Sequence, residues 1–279
     1  MAPNGPERLN STEPEARPLQ LSQIRNGLSA TRLGKKLHYL LEVDSTNTPA
    51  RRLAENGAAE GEIIIAERQT HGRGRLGRSW FSPPYVNLHL SIVLRPKLPP
   101  MDAPQITLMA AVALADTIAS FVSHPTAIKW PNDILIQGKK LAGILTESSL
   151  RSDRIDFVIL GIGVNLNFPR ARMPDGIRDR ATSVMEFSGE PVNREAFLRR
   201  LIHDLERCYG ILEETGFDAI ASRWNTRFAL CGKKVRVEMM DEVFSGTARG
   251  IDRDGALLVG DDWGQIRRVI AGDVIPLEG

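Results

Sequence analysis

The hydrophobic pattern along the chain changes period several times, and each change marks an element. Residues 63–66 (Ile-Ile-Ile-Ala) form a short continuous apolar run that predicts a buried strand. Residues 87–94 (Asn-Leu-His-Leu-Ser-Ile-Val-Leu) alternate in part, as a second strand would. Residues 105–121 are dense in small apolar side chains, with Met109-Ala110-Ala111-Val112-Ala113 among them, and predict a helix buried across a sheet. Strand-like runs follow at 127–130, 134–137 and 141–147, with a Gly138-Lys139 turn before the last, and then at 157–167. Phe197, Leu201, Leu205, Tyr209 and Leu212 share one face of a long helix over 194–212, and 217–224 continues as a second helix. After Cys231 the runs shorten to 233–239, 243–249, 256–259 and 266–270, separated by acidic turns. That change predicts a small β-barrel of about fifty residues.

The chain before the first strand reads differently. Residues 1–20 carry Pro3, Pro6, Pro14 and Pro18 among polar residues, too little apolar surface to offset the entropy of ordering. They predict a disordered arm that remains weakly ordered to residue 30. At most one helix fits between residues 21 and 41 before a strand at 39–43. Asp44-Ser45-Thr46-Asn47 then offers capping groups, Pro49 suits a first helical turn and Gly57 a helix end, predicting a helix of two to three turns. The organisation expected is an N-terminal arm (1–30), an α+β domain built on a mixed sheet flanked by helices (31–230), and the barrel (231–279).

Composition narrows the classes of function. At 279 residues the chain can bury one large core with a small satellite. A net charge of +2 gives no reason to expect sequence-independent nucleic-acid binding through an overall basic surface. No apolar run approaches the roughly 20 residues of a membrane span, and the N-terminus has no secretory apolar core, so a cytoplasmic protein is expected. Cys208 and Cys231 lack metal-ligand spacing and read as small, buried or half-buried hydrophobes.

Candidate chemistry is concentrated in the middle of the chain. Gly72-Arg73-Gly74-Arg75-Leu76-Gly77-Arg78-Ser79-Trp80 follows an apolar strand and combines glycines with arginines. Glycines let backbone N–H groups turn toward a ligand, and guanidinium forks match carboxylate and phosphate oxygens. Lys129-Trp130-Pro131-Asn132-Asp133 sets a cation, an amide and a carboxylate around a proline; Asn132 and Asp133 suit Mg²⁺ shared with nucleotide phosphates, while the ordinary reading is a turn. Lys140 opens an apolar strand and could direct its ammonium inward, or be a solvent lysine. Gly161-Ile162-Gly163-Val164-Asn165 puts two glycines on one strand face, where another molecule could lie flat against the backbone. It is not a dinucleotide fingerprint, because no third glycine or following helix is present. Ser45-Thr46-Asn47 could serve as a cap alone or as a polar ligand site, and Gln69 lies at the root of the Gly/Arg loop.

Taken in order, these motifs together with Lys140-Leu141-Ala142-Gly143-Ile144-Leu145 resemble the biotin protein ligases, also called biotin–[acetyl-CoA-carboxylase] ligases. The resemblance runs from about Val43 to the C-terminus. It implies a class II synthetase-like core followed by an SH3-like barrel, and a two-step reaction: biotin and Mg·ATP give biotinyl-5′-AMP and pyrophosphate, and a carrier-protein lysine then takes the biotinyl group. Carried over by motif, Ser45, Thr46, Asn47 and Gln69 would contact the biotin ring. Gly143, Gly161 and Gly163 would line the same site. Arg73, Gly74 and Arg75 would line the biotin tail and phosphates, with Arg78 and Trp80 on the ATP side. Lys140 would bridge the biotin carboxylate and the α-phosphoryl group, Asn132 and Asp133 would handle metal or acceptor lysine, and Asn165 would meet the adenine. Lys140, Arg73 and Asp133 form the expected catalytic set.

The expected partner is a biotin carboxyl carrier protein, and a homodimer through the sheet edge is left open. The winged helix-turn-helix of repressor-type members is not expected, nor operator-specific DNA binding. Competing readings are a lipoate or octanoyl transferring enzyme, a non-catalytic biotin sensor, and an RNA-binding protein using the barrel. Glycines in the 70–80 loop also predict a segment that is mobile when empty and closes over the adenylate.

Overall fold

The computed structural model describes residues 16–28 and 31–277. Before the first strand lies one short helix, α1 (Leu21–Arg25). The larger sheet is built from β1 (Leu37–Val43), β2 (Ile63–Gln69), β3 (Leu88–Leu94), β4 (Thr126–Lys129), β5 (Asp133–Ile136), β6 (Lys139–Arg151) and β7 (Arg154–Val164). Helix α2 (Asn47–Glu55) connects β1 to β2, and α3 (Pro104–Ala119) connects β3 to β4. Short helices α4 (Asp175–Arg178) and α5 (Met185–Ser188) precede the long α6 (Arg194–Thr215) and α7 (Asp218–Asn225). The smaller sheet holds β8 (Lys234–Glu238), β9 (Val243–Ile251), β10 (Leu257–Gly260), β11 (Ile266–Val269) and β12 (Asp273–Pro276). Its last strand was not legible as a separate run.

Strand order in the large sheet is β1-β2-β3-β7-β6-β5-β4; β1 and β2 run parallel and every other neighbouring pair is antiparallel. The smaller sheet is antiparallel throughout, in the order β11-β10-β9-β8-β12. The expected mixed sheet flanked by helices is therefore present, with a separate small β unit at the C-terminus.

Side-chain alternation explains how the large sheet is covered. Successive residues of a strand point to opposite faces, and residues directly opposite across an antiparallel pair share a face. Leu88, Leu90, Ile92 and Leu94 on β3 pair with Val164, Ile162, Leu160 and Val158 on β7, and all eight belong to the main core with α3 and α6. α3 is buried on nearly all sides, because its small residues pack on both the sheet and α6. α6 starts at Asn193, whose side chain accepts from Ala196 N–H at 2.7 Å, as an N-cap should.

Residues 1–15 and 29–30 of the expected weakly ordered arm lie outside the described residues. Residues 16–28 correct that expectation: Leu19, Ile24 and Leu28 are buried in the main core, and α1 packs on α6. Leu19 N–H donates to Glu67 Oε1 at 2.7 Å, and Gln20 N–H to Glu195 Oε1 at 3.0 Å. The buried Glu67 is held in turn by Arg194 Nη1 (2.7 Å) and Tyr39 Oη (2.7 Å). Few apolar residues suffice here because buried charges supply partners for the backbone. Cys208 is buried as expected, but Cys231 is exposed, since it follows β4's neighbouring segment into the turn before β8. No described helix is long and apolar enough to cross a membrane.

Candidate active site

On the face opposite α3 the sheet changes character along its own strands. Val93 and Ile159 lie opposite each other under α2, in a small apolar cluster with Ala50, Ala54, Ile64 and Phe157. The next pairs on this face are Ser91 with Gly161 and His89 with Gly163. One strand further, Gly161 and Gly163 pair with Leu145 and Gly143 of β6. A floor of bare backbone therefore begins where the apolar side chains end. Above it opens a cleft of about 1430 Å³.

All sixteen site residues expected from the sequence line this cleft: Ser45, Thr46, Asn47, Gln69, Arg73, Gly74, Arg75, Arg78, Trp80, Asn132, Asp133, Lys140, Gly143, Gly161, Gly163 and Asn165. The N-terminus of α2 supplies one end. Thr46 caps α2 without a side-chain hydrogen bond to the helix, so capping does not account for these residues. Instead Thr46 N–H donates to Gln69 Oε1 at 2.8 Å, and Ser91 Oγ lies 2.7 Å from Thr46 Oγ1 and 2.6 Å from Asn47 Oδ1. Gln69 Nε2 donates to Ser82 Oγ at 3.2 Å. The result is a buried polar cluster of amide and hydroxyl groups beside the glycine floor.

The Gly/Arg loop is folded back on itself. Gly74 N–H donates to Arg78 O at 2.7 Å and Trp80 N–H to Gly72 O at 2.8 Å, with Arg73 bridged to Ser79. Leu76 and Gly77 at its tip have positive φ, 54° and 72°, which permits so tight a reversal. The fold of the loop lays the Trp80 indole against the floor: a Cβ on Gly163 would come within 2.6 Å of Trp80 Cε2, and one on Gly143 within 3.2 Å of Trp80 Cζ3. The sequence suggested that another molecule could lie flat on these glycines; in this structure the chain's own Trp80 indole lies there.

The cleft cations Lys140, Arg73 and Arg78 each have an acidic partner. Lys140 Nζ is 2.6 Å from Asp133 Oδ1 and 5.4 Å from the centre of the Trp80 ring, so it runs beside an aromatic face and a carboxylate instead of an apolar wall. Arg73 Nη2 lies 3.3 Å from Glu147, which also faces Arg51. Arg78 pairs with Asp273 of β12, and Arg75 Nη2 donates to Gly272 O at 3.4 Å, so the loop is tied to the small sheet. Burial lowers the Arg75 and Lys129 pKa values, outweighing the charges of Asp133 and Asp273. A site that lowers the pKa of its cations is one where an arriving anion gains more than it would in water.

The remaining expected residues are placed by backbone bonds. Asn132 Nδ2 donates to Ile144 O at 2.8 Å after the cis Trp130–Pro131 bond. Asn165 Nδ2 donates to Thr182 O at 3.1 Å, which fixes its amide at the cleft wall. Sequence reasoning gave no role to Ser91, Glu147, Asp273 or His89. Ser91 and His89 were visible only as polar interruptions in an apolar strand, and the two carboxylates carried no local signal. Among the described residues no group of three or more His, Cys, Asp or Glu is placed to hold a metal.

A mixed sheet with this cleft and a small C-terminal β unit defines a ligase of the biotin/lipoate class. Residues 40–165 match the Biotin/lipoate A/B protein ligase family, and residues 230–275 match the Biotin protein ligase C terminal domain. The chain is 39% identical over 256 residues to the bifunctional ligase/repressor BirA of Bacillus spizizenii, covering 92% of this chain and 78% of that protein. It is 34% identical over 269 residues to the biotin–[acetyl-CoA-carboxylase] ligase of Mycobacterium tuberculosis, covering 93% and 96%. The biotin protein ligase of Aquifex aeolicus in complex with biotin and ATP superposes with a TM-score of 0.75 at 29% identity, covering 88% of this chain and all of that one. The chain belongs to the biotin protein ligase family.

Proposed function

We propose that the protein joins biotin to a lysine of a biotin carboxyl carrier protein in two steps. In the first, a biotin carboxylate oxygen attacks the α-phosphorus of Mg·ATP, the bond from that phosphorus to the bridging oxygen of the β-phosphate breaks, and pyrophosphate leaves. In the second, the neutral amine of the carrier lysine attacks the acyl carbon of biotinyl-5′-AMP, AMP leaves, and the amine loses a proton. The observation that carries this reading is the convergence of Lys140, Arg73, Arg75 and Arg78 on one cleft beside a bare glycine floor and a buried amide and hydroxyl cluster. The A. aeolicus relative holds biotin and ATP together, which supports the pairing of substrates.

A carboxylate and a triphosphate repel each other, so the first step needs cations placed where charge develops. Lys140 is assigned to the α-phosphoryl oxygens and the biotin carboxylate, with Arg73 and Arg75 along the biotin tail and phosphates. On binding, substrate anions replace Asp133, Glu147 and Asp273 as partners of these cations. Mg²⁺ arrives with ATP, held chiefly by phosphate oxygens; Asp133, with Asn132 beside it, is the protein group that supplements them. Ser45, Thr46, Asn47 and Gln69 are assigned to the biotin ring and Asn165 to the adenine side. Operator-specific DNA binding is not part of the proposal, and α1 is the one described helix before β1.

Pyrophosphate release from Mg·ATP, measured with biotin, with lipoate and with neither before any carrier is added, tests the first step. Release with biotin alone is expected. Release with lipoate alone moves the protein to the sister class, and no release with either acid leaves a binding protein. The 70–80 loop should become resistant to proteolysis when biotin and ATP are both present; equal cleavage with and without them overturns its assignment as a lid.

A further inference from the structure

His89 is the buried titratable group that the proposed mechanism leaves unused. It lies on β3, 1% exposed, and neither ring nitrogen has a hydrogen-bond partner among the described residues. Buried polar atoms are nearly always paired, and one left unpaired is destabilising, so an orphan imidazole calls for a partner that arrives later. Its position says where that partner comes from. His89 lies directly opposite Gly163 and two residues from Ser91, so its side chain leaves the sheet on the glycine face, next to the cluster of Ser91, Thr46 and Asn47. Trp80 Nε1, packed against Gly163, is a second buried nitrogen without a partner at the same place.

We propose that His89 is part of the biotin site and determines specificity there, hydrogen-bonding the ring system of bound biotin through its otherwise unpaired ring nitrogens. This rests on the adenylation reading given above. Burial, reinforced by the charge of Arg194, pushes the His89 pKa down to about 3. The ring is therefore neutral at pH 7 and offers one donor and one acceptor. A cyclic urea presents the complementary pair, N–H and C=O. A site of this kind favours a ligand carrying the urea over an acyl chain of similar size without it, because the latter leaves the imidazole unpaired.

Biotin-dependent pyrophosphate exchange by the unmodified protein is measured first; its absence overturns the adenylation reading and this inference together. With exchange present, His89→Leu and His89→Gln are compared for the KM of biotin and of ATP. His89→Leu should raise the biotin KM roughly tenfold, as loss of a hydrogen bond in a dry site does, and leave the ATP KM within about twofold. His89→Gln keeps a donor and an acceptor and should recover most of the loss. If His89 only fills space, His89→Leu removes an unpaired polar group, raises Tm and leaves the biotin KM unchanged; that result overturns the inference alone, as does an equal rise in both KM values or a Gln variant as impaired as Leu. Should His89→Leu not fold, the imidazole ¹⁵N resonances of the unmodified protein decide. One of the five histidines, assigned by its loss in His89→Gln, should shift on adding biotin and not on adding ATP alone. No shift with biotin overturns the assignment.

Discussion

The two faces of the large sheet are made by the same strands and do opposite work. Toward α3 and α6, β3 and β7 present an unbroken apolar surface, Leu88 to Leu94 against Val158 to Val164. Toward the cleft the same strands begin apolar, with Val93, Phe157 and Ile159, and then turn to Ser91, His89, Gly161 and Gly163. One face is satisfied within the fold. The other carries unpaired nitrogens, a backbone floor covered by the Trp80 indole, and cations held by carboxylates from elsewhere in the fold. The difference separates stability from function within a strand only eleven residues long.

Substitutions on the two faces should therefore fail in different ways. The largest effect is expected from Lys140→Ala, which should reduce biotin-dependent pyrophosphate release by roughly 10²–10³-fold, as loss of a principal transition-state cation does, with Tm little changed. Undiminished release would remove Lys140 from its role. On the helix face, Leu160→Ala should cost about 2–5 kcal/mol in denaturant unfolding and leave the biotin KM of the folded fraction unaltered. Gly161→Ala brings the comparison to a single atom: its Cβ would meet the Asn47 side-chain oxygen and come within 3.0 Å of Leu145 O. The biotin KM should rise about tenfold with a stability loss of roughly 1–3 kcal/mol; a stability loss without any change in KM would mean that the floor belongs to the core.

A smaller effect concerns the N-terminal strap. Burial raises the Glu195 pKa, but hydrogen bonds from Arg17 and the Gln20 N–H, with the charge of Arg17, outweigh it and hold the carboxyl below its usual value of 4.5. A lowered carboxylate pKa contributes stability that is present above pH 4.5 and lost as pH falls through the folded value. Arg17→Ala should thus cost roughly 0.5–1 kcal/mol at pH 6, a modest figure because Arg17 is partly exposed and screened. The gap to the unmodified protein should close below pH 4.5, and a constant gap would show that the pair does not act through charge. The smallest effect is expected from Asp273→Asn, which frees Arg78 and should speed proteolysis of the ligand-free 70–80 loop a few-fold.

Much of this was legible in the sequence. Strands β2 and β3 and helices α3 and α6 follow from periodicity because burial on a given face imposes it. β12 was missed because four residues ending at Pro276 carry no readable period, and the end of β6 beyond Glu147 because Ser148 and Ser149 interrupt the apolar pattern. The 16–28 strap was misread because its ordering depends on Glu67, Arg194 and Glu195, whose bonds to it no local composition reveals.

By itself the sequence determined the residue types and their local order: glycines where no side chain can stand, arginines and a lysine grouped around one loop and strand, and the alternation that assigns each strand residue to a face. Only the tertiary structure decided which carboxylate neutralises which cation, that Trp80 covers Gly143 and Gly163, and that His89 is buried opposite Gly163 with its ring nitrogens unpaired among the described residues. The physical reason is separation along the chain. Arg78 and Asp273 lie 195 residues apart and Arg194 and Glu67 127 apart, and pairings at that range follow from strand register and packing, which no local period encodes.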